Sequence, residues 1–210
     1  MVSDQMHEKE KNNQMMVEVL SQIMEFRNGE SINTLTRLLL ERLVENTDAY
    51  NLTPDDCYLI STASAFHDIG KVGIDESILN KPGKLTEEEF ETMKEHTLIG
   101  ASMLDKLEHY KDEKMIKIAY QICRWHHERY DGKGYPDGLT GEQIPIAAQV
   151  VSVADVYDAL VSKRVYKDAY SHEQAMKMIL NGECGAFNPL LMEVLVEIQD
   201  KIKKEMHYEV

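Results

Sequence analysis

Residues 66–74 read FHDIGKVGI, and the placement of this stretch decides the fold. Ile60 and Ala63 precede His67 by seven and four residues, the spacing of one helix face. That spacing points the histidine at the core of a helical domain. Asp68 follows one residue later, about 100° further round a helix. Adjacent His and Asp occur by chance in many chains, and a buried histidine is ordinarily just hydrogen-bonded. The doublet gains meaning only if other segments bring matching side chains to it.

Other segments do. The chain has eight histidines. His96 follows Phe90 and Met93 on a helical stripe, and His126 extends the line Met115, Ala119, Ile122. Asp155 extends Ala148 and Val151 at the same spacing. A carboxylate facing a core is costly unless it is paired or bound to metal. His127, like Asp68, lies one residue from a core-facing histidine and can reach the same centre from the side. Four helices are therefore predicted each to deliver His or Asp inward at one end. Six nitrogen and oxygen donors without sulfur suit zinc, manganese or iron. Asp68 is placed to bridge two metals, a device for attack of water on phosphorus. The alternative is a buried His/Asp hydrogen-bond network without metal. His7, His109, His172 and His207 are assigned no role.

Outward from these residues, nearly every segment reads as helix. Thr53 caps a helix with Pro54 in its first turn, Thr86 with Glu89 and Ser171 with Gln174 form capping boxes, and Asn188 precedes Pro189. VVSVADV, residues 150–156, has strand propensity, but the periodic pattern running on to Leu160 favours helix. One long irregular stretch, residues 128–145, holds four of the eleven glycines. A loop of this length is functional or disordered, and its aromatic and Gly-Pro content favours an ordered one. Residues 8–26 carry Met16, Val19, Leu20, Ile23 and Met24 at helical spacing before RNGES breaks the pattern. This helix is free to pack on the core, to be a linker remnant, or to pair with a second copy; pairing is the favoured reading. The predicted organisation is an all-α, multi-helix bundle over residues 28–210 with an N-terminal helical extension over residues 1–27.

Composition sets the outer limits. The net charge of −14 disfavours nucleic acid polymers and anionic membranes. A small anionic ligand needs only a local patch of cations. No run of 18 apolar residues exists, and the polar start lacks a signal peptide's apolar core, so a cytoplasmic location is expected. The three cysteines are far apart without a CxxC and read as buried free thiols.

Three long motifs carry a resemblance: HDIGKVGIDESILNKPGKLTEEEFETMKEH (67–96), HHERYDGKGYPDGLTGEQIP (126–145) and VSVADVYDALVSKRVYKDA (151–169). Their order and spacing resemble the HD-GYP family of bacterial HD-superfamily phosphodiesterases over roughly residues 25 to 200. The resemblance implies two divalent metals, or three, with iron or manganese favoured and zinc an alternative. It implies hydrolysis of cyclic di-GMP by metal-activated water. Position by position, His67, Asp68, His96, His126, His127 and Asp155 match metal ligands, and Glu30 matches a carboxylate serving a third metal. Lys71 and Asp68 match catalytic positions. Arg164 and Lys167 match substrate-phosphate contacts. Gly134, Tyr135 and Pro136 are the GYP itself, a loop suited to contacting substrate or to docking a signalling partner.

One departure bears on the chemistry. In EFRNGESINTLTR, Glu25, Arg27, Glu30 and Arg37 align with the family pattern, but Thr34 stands where the first metal-binding histidine is expected. No histidine lies between His7 and His67 to replace it. The metal shared with His67, Asp68 and Asp155 loses a ligand, while the centre of Asp68, His96, His126 and His127 looks whole. Two functions follow: an active phosphodiesterase with an altered first site, or a degenerate domain that binds metal, nucleotide or a partner without turnover.

Overall fold

The computed structural model describes residues 29–162 and 168–206. Of Gly29 and Glu30 it describes the helical backbone alone. The helix read over residues 8–26, Arg164, Lys167, His7 and His207 lie outside the described residues, as does the Glu30 side chain.

Among the described residues the chain is helical throughout, with one isolated antiparallel bridge, Asp131 to Thr140. Helix α1 spans Gly29–Asn46 and α2 spans Pro54–Ala63. A 3-10 turn, Ser64–Phe66, and another, Ile69–Gly73, flank the His-Asp doublet. Then come α3 (Glu76–Leu79), α4 (Glu87–Lys94), α5 (His96–Asp105), α6 (Lys114–Trp125) and α7 (Ile146–Val161). The chain closes with α8 (His172–Leu180), α9 (Pro189–Glu197) and α10 (Gln199–Glu205).

The caps read from the sequence are in place. Thr53, Thr86 and Ser171 each accept a hydrogen bond from the third helical amide and donate their own amide to that residue's side chain. Asn188 accepts from the Leu190 amide. Each such cap is worth about 1 kcal/mol and fixes where its helix starts.

Helix α7 is the centre of the bundle. Ala147, Ala148, Val150, Val151, Val153, Ala154 and Tyr157 are all buried, and the polar Gln149 and Ser152 are buried on the remaining side. A helix buried all round must be surrounded by others, and α1, α6 and α8 pack directly on it. Helix α1 adds Leu35, Leu38, Leu39 and Leu43, and also packs on α2 and the first 3-10 turn. The VVSVADV stretch is therefore helical despite its β-branched content: burial on all sides overrides propensity.

Not every thiol is buried. Cys123 is, whereas Cys57 and Cys184 are half-buried, and all are free. His172, read as an ordinary first-turn residue, is buried, with its Nδ1 2.7 Å from the Tyr157 hydroxyl of α7. Burial holds its pKa below the ordinary value. The unfolded chain therefore takes up this proton more readily than the folded one, so the group costs stability as pH falls through about 6.5. His172→Gln is expected to flatten the stability slope between about pH 5 and 6.5 in denaturant titrations. An unchanged slope would show that the ring does not carry this dependence.

Candidate metal centre

The His-Asp doublet is not on the α-helix that the spacing suggested. Helix α2 ends at Ala63, and the chain tightens into 3-10 geometry before His67. Asp68, at φ −101° and ψ 8°, starts the next 3-10 turn. The 100° rotation argument thus does not apply, yet the two side chains still meet: His67 Nε2 lies 3.2 Å from Asp68 Oδ2.

Gly70 makes the turn possible. A Cβ there would come within 1.9 Å of the His96 carbonyl and 2.5 Å of the Gly100 amide. With hydrogen in that place, the turn lies directly on the first turns of α5. From the other side, the buried Cys123 thiol donates to the Phe66 carbonyl at 2.9 Å, tying α6 to the residue before the doublet. The turn is held between the two helices that carry His96 and His126.

Four side chains converge. Asp68, His96, His126 and His127 each offer one donor atom, all within 4.8 Å of one another. Asp68 Oδ1 is 3.4 Å from His96 Nε2 and 4.0 Å from His126 Nε2. Its other oxygen, Oδ2, faces His67 Nε2 and is 2.5 Å from Lys71 Nζ. His67 Nε2 is also 3.8 Å from Asp155 Oδ1. One carboxylate therefore stands between two groups of donors.

The far side of each ring shows how it is oriented. His67 Nδ1 pairs with the Ser64 carbonyl at 2.9 Å, His96 Nδ1 with Met93 at 2.6 Å, and His126 Nδ1 with Ile122 at 2.9 Å. A carbonyl accepts only from a protonated nitrogen, so Nδ1 carries the hydrogen, and in the neutral His96 and His126 rings the Nε2 lone pair faces the centre. Asp68 Oδ1, His96 Nε2 and His126 Nε2 are buried without a hydrogen-bond partner. Buried polar atoms are ordinarily paired. Three orphans facing one point are what a divalent cation would satisfy, and nitrogen and oxygen donors suit zinc, manganese or iron.

The titration states agree. Burial holds the pKa of His126 and His127 well below the ordinary value and lowers that of His96. These rings are neutral and able to ligate. His67 differs: burial pushes it down, but Asp68 and then Asp155 outweigh this and raise it to about 9. Burial would raise the Asp68 carboxyl, yet His67 and Lys71 hold it well below its usual range.

Two placements differ from those read from the spacing. Phe90, Met93 and His96 do not share a core-facing stripe, because the helix breaks at Glu95 and His96 opens α5. Phe90 is left 45% exposed. Nor do all four helices deliver donors at an end. His96 and His126 sit at helix ends, but Asp155 is in the body of α7, where it reaches His67 from below.

Glu128 and Arg129 were part of the quoted motif but had no role read for them. Glu128 is 2% exposed, and its carboxylate accepts from the Asp137, Gly138 and Leu139 amides at 2.7, 3.0 and 3.1 Å. It holds the long loop closed. Gly134 lies against it: a Cβ there would meet Arg129 N at 2.3 Å and Glu128 Cα at 2.4 Å. Tyr135 stacks on His127 with ring centroids 4.8 Å apart, and its amide donates to the His127 carbonyl at 3.3 Å. Pro136 follows through a cis bond. Arg129 donates to Ser152 Oγ of α7 at 2.7 Å. A carboxylate just ahead of a glycine-rich loop full of unpaired amides was the available signal for Glu128.

A helical bundle that gathers a His-Asp doublet, a histidine opening one helix and a His-His pair closing another defines an HD domain. The protein-family model described as "HD domain" matches residues 18–186. A probable cyclic di-GMP phosphodiesterase of Vibrio cholerae is 42% identical over 198 residues, covering 89% of this chain and 45% of that protein. The Xanthomonas campestris response regulator RpfG, named a cyclic di-GMP phosphodiesterase, is 36% identical over 91% of this chain and 49% of its own. A 3'3'-cGAMP-specific phosphodiesterase of V. cholerae is 37% identical over 87% of this chain and 34% of its own. The chain belongs to the HD-GYP family. It spans half or less of the length of these relatives. The fold is also that of Bd1817, a solved HDG"Y"P protein from Bdellovibrio bacteriovorus, with a TM-score of 0.63 at 20% identity, over 91% of this chain and 62% of that one. No described helix is long and apolar enough to cross a membrane.

Proposed function

We propose that this chain is a metal-dependent phosphodiesterase acting on a cyclic dinucleotide, with cyclic di-GMP the favoured substrate. The observation that carries the reading is the cluster of Asp68, His96, His126 and His127, three of whose buried donor atoms face one another unpaired. The names of the relatives supply the substrate class. Divalent metal held there would supply Lewis acidity and lower the pKa of water near neutral pH. The chain's own part is to hold the neutral His96 and His126 imidazoles in one orientation, to keep Asp68 ionised between two donor groups, and to place Lys71 where an anionic phosphoryl oxygen would arrive. A cation beside developing phosphoryl charge lowers the barrier electrostatically. The same reading gives Arg164 and Lys167 to the substrate phosphates and Glu30 to a third metal. It gives residues 8–26 to pairing of two copies, and the loop around Gly134, Tyr135 and Pro136 to substrate or a partner protein. Iron or manganese is the favoured metal, and the cytoplasm the expected location.

A second reading, binding without turnover, is favoured by one position. Thr34 is half-buried on α1, the helix that packs against the 3-10 turn before His67 and against the α7 helix of Asp155. A histidine at that point would be a fourth donor for the His67, Asp68 and Asp155 group; a threonine is a poor ligand for these metals. The deciding experiment is anaerobic purification, metal counting, and cyclic di-GMP hydrolysis by the wild type and Thr34→His. An active enzyme is expected to carry at least one tightly held metal, and Thr34→His to raise metal content and kcat by about tenfold or more. Turnover only in Thr34→His would select the non-catalytic reading. Less than one metal per chain under metal-replete conditions would overturn the site itself.

A further inference from the structure

Among the described residues, Phe90 is an aromatic side chain beside Tyr135 that the metal chemistry leaves without a purpose. It sits on α4, 45% exposed, with its ring edge-on to Tyr135 at 6.3 Å between centroids. Tyr135 in turn stacks on His127, at 4.8 Å and 28°. The Lys94 ammonium, one helical turn beyond Phe90, lies 5.0 Å from the Phe90 centroid and 5.4 Å from that of Tyr135. It also pairs with Glu91 at 2.6 Å. A ladder of rings therefore leads from the candidate metal donors to solvent, ending in a 45% exposed phenyl ring with a cation over one face.

A lone exposed Phe on a surface needs no explanation. This one is different in company: the first turn of its helix is all acidic, Glu87 to Glu89, and among the described residues the cation over the rings is Lys94. We propose that Phe90 and Lys94 form a purine-binding shelf, which sets the base preference of the substrate. The inference rests on the cyclic dinucleotide reading above. With a phosphate beside the Lys71 ammonium, a nucleoside running outward past Tyr135 would bring its base to the Phe90 ring. Bases stack on any aromatic face, so Phe90 supplies affinity without sequence preference. Lys94 supplies the preference: an ammonium donates to guanine O6 and N7, whereas adenine presents its own N6 donor at the corresponding place.

The test compares wild type, Phe90→Ala, Phe90→Trp and Lys94→Gln on cyclic di-GMP, 3'3'-cGAMP and cyclic di-AMP. Steady-state kinetics are used where there is turnover, and calorimetric Kd where there is binding alone. Phe90→Ala is expected to raise KM or Kd about 5- to 100-fold, with kcat and metal content moving less than about twofold. Phe90→Trp is expected to restore wild-type binding. Lys94→Gln is expected to cut the preference for guanine over adenine by about tenfold. If Phe90→Ala leaves KM and Kd within twofold, or lowers kcat and metal content while binding stands, Phe90 is a brace for Tyr135 and the shelf is overturned. If Lys94→Gln leaves the base preference unchanged, the specificity role of Lys94 is overturned. A wild type that binds none of the three dinucleotides overturns the proposed function together with the shelf, a result distinct from both.

Discussion

Asp68→Asn is expected to lower metal affinity by more than about 100-fold and to remove measurable hydrolysis. Losing a group that merely supports a ligand already costs 10- to 100-fold, and Asp68 is more than a support. Its Oδ1 faces His96 and His126, while its Oδ2 faces His67 and Lys71. An amide would place a neutral oxygen toward one group and an N–H donor toward the other, so both donor groups lose a charged member at once. The change is nearly isosteric, so the helices around it should stay packed. Metal analysis and hydrolysis, measured beside a circular dichroism melt, separate loss of the centre from loss of the fold. Retained metal with retained turnover would show that Asp68 is not the shared ligand.

Gly70→Ala is expected to have the largest effect on stability, about 3 kcal/mol or more. The added methyl would overlap backbone atoms, the His96 carbonyl at 1.9 Å and the Gly100 amide at 2.5 Å, and neither can rotate away. The turn must lift off α5, which also pulls His67 and Asp68 from His96. For a chain of this size the Tm should fall by about 6–12 °C. Gly73→Ala is the natural comparison. Its Cβ would meet the tips of the Ile99 side chain at 3.0 Å, and a flexible side chain can shift. It should cost less than about 1 kcal/mol. Equal melting temperatures for the two variants would contradict the contact geometry.

Much of this was legible in the residues. Helix starts were, because caps act locally: Thr53, Thr86, Ser171 and Asn188 each satisfy amides within three residues of themselves. The convergence of donors was also visible, because His126 and Asp155 ride on apolar periodicity that real burial follows. What spacing missed were the places where the helix changes kind. The 3-10 turn after the doublet lies against the α5 backbone at Gly70, a tertiary contact with no local signature beyond the glycine itself, and the break at Glu95 has no breaker residue to announce it. His172 escaped notice because its partner, Tyr157, lies on another helix. Glu128 escaped because three amides that need it are nine to eleven residues away.

The Glu128 clamp has a thermodynamic consequence. Three amide hydrogen bonds tie the GYP loop to the residue after His127, and Tyr135 is bonded to His127 both by its ring and by its amide. The loop cannot shift while His127 stays still. A protein that docks on the loop and prefers its metal-loaded arrangement must then tighten metal binding by the same factor by which metal tightens docking. The free energy passes both ways through a single imidazole. Loss of the ion would then weaken the hold of any such partner, and the loop would report metal occupancy as well as wall the site.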